Sequence, residues 1–175
     1  MRRSVALRLW LLSLVFTTAA PPVWSAGLPE YRLKAAFVYN FALFTEWPAE
    51  VGATLNLCIY GRDPFGPEID GLQGKAVGAR LVAVRRSTKL ESLASCQIVF
   101  VAKSAVADLA KLLVQLRGNS TLTIADSPGA GAQGVALNMS VVNGKVTFEA
   151  NLNAAHAAQL NLSSKLLRLA TEVRP

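Results

Sequence analysis

The stretch Tyr31–Pro48, YRLKAAFVYNFALFTEWP, decides how the rest of the chain must be built. Leu33, Phe37, Phe41 and Phe44 recur at the three-and-four spacing of one apolar stripe, which predicts a helix over Glu30–Glu46. Ala35, Val38 and Ala42 widen that stripe to a second face, so little of the circumference is polar. A helix of this kind must be buried on more than one side. Trp47-Pro48 ends it, because the residue before a proline is pushed out of the helical conformation.

The sequence downstream supplies the body that the helix needs. Thr54–Tyr60 alternates and then turns continuously apolar, as an interior strand does. Asp63-Pro64 reads as an N-cap with proline at the first helical position, opening a short helix toward Asp70. Strands follow at Ala79–Arg86, Cys96–Val101 and Thr121–Ala125, with a short helix over Thr88–Leu93. Between the last two strands Ser104 caps an amphipathic helix that carries Val106, Leu109, Leu113 and Leu116 and stops at Gly118. Val135–Val142 and Lys145–Ala150 flank Asn143-Gly144, a two-residue hairpin signal. Helical pieces near Asn153–Leu160 and Ser163–Ala170 close the chain. This order predicts an α/β fold: a mainly parallel central sheet of about five to six strands with an antiparallel hairpin, and helices on both faces.

Upstream, residues 1–25 have the three parts of a cleavable secretory signal: Arg2, Arg3 and Arg8, then the apolar run Leu9–Phe16, then small residues ending at Ser25. The apolar run is shorter than the roughly 20 residues that span a bilayer. The expectation is export, with residues 26–175 as a single domain. The net charge of +7 owes three arginines to that signal. The one later cluster, Arg80, Arg85, Arg86 and Lys89, lacks interleaved aromatics and reads as a solvated face, so no nucleic-acid partner is expected. In an oxidising compartment the two cysteines, Cys58 and Cys96, favour a disulfide. Two separate buried thiols are the alternative, because each cysteine borders an apolar strand.

No set of residues assembles into a convincing active site. Gly129-Ala-Gly-Ala-Gln-Gly134 matches G-x-G-x-x-G, but a strand follows where the dinucleotide fingerprint requires a helix, so it reads as a loop. Asp63 and Asp126 stand at strand ends, where parallel α/β proteins often place ligand contacts; capping and loop solvation explain both more simply. His156 has no second histidine with which to share a metal. No catalytic residue, metal ligand or cofactor is expected. Phe44 and Trp47 stand out differently, at the point where the helix runs into a proline turn. Aromatic anchors are enriched at interfaces, which makes these two the candidate partner-binding residues.

The segments KAAFVYNFALFTEWP, LCIYGRDPFG, CQIVFVAKS and FEANLNAAHAAQLNLSSKLLRLA resemble the YfiR family of bacterial periplasmic proteins, from about Tyr31 to Ala170. The Gly129–Gly134 segment is looser than the family's usual phenylalanine followed by a glycine pair. The resemblance implies a non-catalytic periplasmic repressor. It would bind the periplasmic part of an inner-membrane diguanylate cyclase and keep cyclic di-GMP and biofilm signalling low. An outer-membrane OmpA-like lipoprotein would draw it off, and it would form a homodimer. The alternative function is a periplasmic small-ligand-binding or sensor domain that feeds a histidine kinase or another envelope receptor.

Overall fold

A computed structural model describes residues 27–175; the signal reading of residues 1–25 lies outside the described residues. Helix α1 (Gly27–Leu43) leads into β1 (Thr45–Glu46) and β2 (Thr54–Tyr60). Then come α2 (Pro67–Asp70), β3 (Ala76–Val77), β4 (Arg80–Ser87), a 3-10 turn over Leu90–Ser95 and β5 (Ile98–Val101). A second 3-10 turn over Lys103–Asp108 runs straight into α3 (Leu109–Gln115), followed by β6 (Leu122–Ala125). The hairpin of β7 (Leu137–Val142) and β8 (Lys145–Asn151) precedes α4 (Leu152–Ala157), β9 (Asn161–Leu162), α5 (Ser164–Leu167) and β10 (Glu172–Arg174).

Among the described residues the main sheet has eight strands in the order β10-β8-β7-β6-β5-β2-β4-β3. The interior run from β4 through β2, β5 and β6 to β7 is parallel. The β7–β8 hairpin and the β3–β4 edge are antiparallel. The predicted class is the observed one, with two more strands than expected. Those two, β3 and β10, are the short edge strands of two and three residues, too brief for alternation to register in the sequence.

Strand alternation sorts side chains into two cores, one on each face. Leu55, Leu57 and Ile59 of β2 join Ile98 and Phe100 of β5 on the face covered by α1. Cys58, Tyr60, Val99 and Val101 point the other way, toward Leu93, Leu109 and Leu112. The Cys58–Cys96 disulfide sits in this second core, with its Cα atoms 6.0 Å apart. On the first face Phe41 meets Phe148 edge-on at 4.9 Å between ring centroids, and Phe37 stands 6.1 Å from Phe148. Edge-to-face rings of this kind add to the burial term.

Ser104 does not cap a helix: it lies in the 3-10 turn, its hydroxyl accepts from the Arg62 amide, and α3 begins only at Leu109. Three further details differ from the sequence expectation. Helix α1 ends at Leu43, before Glu46, because Thr45 and Glu46 pair antiparallel with Leu162 and Asn161. The Thr45 hydroxyl and the Trp47 indole donate to the carbonyls of Phe41 and Ala42, which closes the helix end. Second, the buried stripe is Lys34, Ala35, Val38, Phe41 and Ala42, whereas Leu33 is 51% exposed. The helix is rotated so that a lysine occupies the position expected for a leucine. Third, Asp63 caps a turn by accepting from the Phe65 amide, and α2 begins with Pro67 instead of Pro64.

Candidate functional site

The rotation of α1 is explained by what Lys34 meets. Its ammonium donates to Asp126 Oδ2 at 2.7 Å, with side-chain exposures of 2% and 0% for the two residues. Lys34 also donates to Glu30 one turn earlier. Tyr31 Oη donates to the same Asp126 oxygen at 2.9 Å, and Lys34 Nζ lies 4.6 Å from the Tyr31 ring centroid. An unpaired charge buried this deeply would be strongly unfavourable. The pairing sets the register of the helix on the sheet.

Asp126 follows the last residue of β6, beyond the carboxyl end of a parallel strand, the usual location of ligand crevices in this fold class. It opens onto a cavity of about 530 Å³ lined by residues that include Glu30, Lys103, Ser127, Asn138, Glu149 and Glu172. Asn138 on β7 donates through Nδ2 to the Ser127 carbonyl at 3.0 Å and to Glu149 Oε1 at 2.8 Å. Lys103 Nζ reaches to 3.9 Å from Asp126 Oδ2 with its side chain 59% exposed. Gly131 lets Glu149 approach, since a Cβ there would lie 2.7 Å from Glu149 Oε1.

Desolvation, then the hydrogen bond to Asp126 and the charges of Asp126 and Glu30, push the Tyr31 phenol well above its ordinary value of 10.0. Tyr31 is therefore a donor throughout the physiological range. Because the folded chain holds this proton more tightly than the unfolded one, the stability linked to Tyr31 is complete below about pH 10 and is lost as pH rises toward the folded value. Burial raises the Tyr60 phenol as well, so ultraviolet titration of tyrosinate is expected to show two tyrosines ionising late, and Tyr31→Phe should remove one of these late steps.

A profile of the YfiR/HmsC-like family matches residues 31–171. The chain belongs to the YfiR/HmsC-like family. No curated protein matches it. Among solved structures it is similar to a conserved domain protein from Vibrio cholerae O1 biovar El Tor. The identity there is 7%, with a TM-score of 0.54 over 82% of this chain and 60% of that one. At that identity the likeness concerns the fold alone, and this chain spans about three-fifths of that protein's length. The YfiR/HmsC-like family is, in general terms, one of periplasmic regulatory proteins connected with diguanylate cyclases. No helix among the described residues is long and apolar enough to cross a membrane.

The other candidates in this YfiR/HmsC-like chain fall apart from the cleft. Asp63 and Asp70 are both engaged by Arg86, at 2.7 Å each. The hydrogen bond from Arg86 to Asp70 first, then that to Asp63, raises its already high pKa. Asp63 and Asp126 thus serve separate ion pairs and form no common site. Arg80 is likewise occupied, donating to the carbonyls of Val51 and Pro48, so half of the basic cluster is structural. His156 is exposed on α4. The Gly129–Gly134 loop closes on itself through amide bonds from Gln133 to Gly129 and from Val135 to Ala130. It then enters β7 with no intervening helix. Phe44 and Trp47 are half-buried and packed against the α1-side core.

Lys34, Ser127 and Asn138 are the cleft residues that sequence reasoning missed. One usable signal existed: Lys34 interrupts a helix apolar on two faces, and such a lysine requires a carboxylate partner. Asp126, at a strand end, was already a candidate.

Proposed function

We propose that this protein is a periplasmic repressor that binds the periplasmic part of an inner-membrane diguanylate cyclase and keeps cyclic di-GMP low. The observation that carries this reading is the family match over residues 31–171. In this proposal the chain is exported by a cleavable signal, acts as a homodimer and is withdrawn by an OmpA-like outer-membrane lipoprotein. Repression is then a population shift, which requires that the protein bind one state of the cyclase better than another. Deleting the gene is expected to raise cyclic di-GMP, increase surface attachment and reduce motility. Unchanged cyclic di-GMP in the deletion strain would refute the repressor role.

Phe44 and Trp47 are proposed as part of the contact surface. Trp47 stays half-exposed beside the β1–β9 pair, with its indole nitrogen already bonded to the Ala42 carbonyl. The ring is thereby held rigid, which lowers the entropy cost of docking onto it. Trp47→Ala is expected to weaken dimer or cyclase binding at least tenfold, a hot-spot loss of about 1.4 kcal/mol or more. Analytical ultracentrifugation and a pull-down of the cyclase periplasmic part check this. A fall in melting temperature with binding unchanged would assign Trp47 to the core instead.

A further inference from the structure

Four buried side-chain polar atoms among the described residues have no hydrogen-bond partner, and three of them belong to the cleft behind α1: Asp126 Oδ1, Ser127 Oγ and Asn138 Oδ1. Their residues are 5%, 4% and 5% exposed, and all three line the 530 Å³ cavity. Buried polar groups in folded proteins are nearly always paired, so a cluster of orphans in one cavity calls for a specific cause. Asn138 cannot resolve it by turning over, because its amide nitrogen is fixed by the Ser127 carbonyl and Glu149.

The orphans define the chemistry of what would complete them. Asp126 Oδ1 and Asn138 Oδ1 only accept, so their partner must donate; Ser127 Oγ can do either. The charge around the cavity points the same way. Glu30, Asp126, Glu149 and Glu172 line it against Lys34 and Lys103. Arg174 bonds Glu149 and Glu172, leaving one carboxylate charge unmatched. An anion would meet two bare acceptors, whereas a single ammonium offers three donors and brings the site to neutrality.

We infer that the Asp126–Ser127–Asn138 cleft is a binding site for a small primary amine that carries a hydroxyl, a ligand of the amino-alcohol class. The ammonium donates to Asp126 Oδ1 and Asn138 Oδ1, and the hydroxyl pairs with Ser127 Oγ. The volume lies within the usual range for small-molecule sites, roughly 300–1,000 Å³. This inference stands apart from the repressor reading, since it concerns the isolated protein and needs no cyclase.

The test is an NMR titration of isotope-labelled protein, purified from the periplasm of cells expressing the full chain, with ethanolamine as the probe. Ethylene glycol and acetate at matched ionic strength are the neutral and anionic comparisons. Saturable shifts at Asp126–Gly129 and Asn138 are expected with ethanolamine, at least about tenfold weaker with ethylene glycol, and absent with acetate. Ser127→Ala removes an oxygen with no partner in the fold, so it should leave the melting temperature unchanged while weakening ethanolamine binding about 3- to 10-fold, the loss of one hydrogen bond. Shifts that never saturate would overturn the site and leave water as the partner of the orphans. Equal response to ethylene glycol would overturn the role of charge. Undiminished binding by Ser127→Ala would overturn the placement.

Discussion

Asp126→Ala is expected to lower the stability of this protein by about 3–5 kcal/mol, the range for removing one member of a buried ion pair. The substitution leaves Lys34 facing the end of β6 with only Glu30 to hold it, and its side chain is 2% exposed. It also strands the Tyr31 hydroxyl, which donates to the same oxygen. The comparison that makes the claim specific is the double variant Lys34→Met/Asp126→Ala. Removing both charges eliminates the stranded ammonium and keeps most of the packing volume, so the double variant should recover much of the loss. Asp63→Ala offers a second comparison. Asp63 bonds Arg86, whose side chain is 42% exposed, and accepts from the Phe65 amide, so the loss of a solvent-screened pair and one turn cap should cost about 1–2 kcal/mol. Urea unfolding followed by circular dichroism measures all three. If Asp126→Ala costs no more than Asp63→Ala, Lys34 has found another outlet and the pair does not fix the helix.

That pair also shows where the sequence could be read and where it could not. Strands β2, β5 and β6 were legible as short, largely apolar runs. The hairpin was legible from Asn143-Gly144, whose left-handed φ angles of 51° and 74° the structure contains. Helix α1 was legible as a helix but not in its rotation. Apolar spacing allowed Leu33 or Ala35 to lead the buried stripe, and the choice is made by Asp126, 92 residues away from Lys34. The C-terminal end of α1 failed for a similar reason. The strand pair that replaces its last turn joins Thr45–Glu46 to Asn161–Leu162, and two-residue strands have no period to detect. The cleft was half legible: Asp126 announced itself by position, whereas Ser127 and Asn138 matter only because folding leaves their oxygens unpaired beside it.

Removing the Cys58–Cys96 bridge is expected to cost about 4 kcal/mol, from the entropy of a closed loop of 38 residues. For a chain of this size that loss corresponds to a fall of roughly 8–16 °C in melting temperature. The wild-type protein should melt lower with reductant than without it, whereas Cys58→Ala/Cys96→Ala should melt at one low temperature in both. Kinetics separate the two ways in which the bridge could act. The loop it closes contains α2, β3, β4 and the Leu90–Ser95 turn, and its ends are brought together when β5 pairs alongside β2. If the bridge works by restricting the unfolded chain, the reduced protein must find that parallel pairing unaided, so refolding slows while the unfolding rate barely changes. If it instead ties down contacts of the second core, which includes Tyr60, Leu93 and Val99 beside the two cysteines, reduction should speed unfolding. The parallel β2–β5 register is non-local and the bridge closes it in advance, so slower refolding is the expected result. A chevron whose unfolding limb alone moves would assign the stabilisation to the packed core.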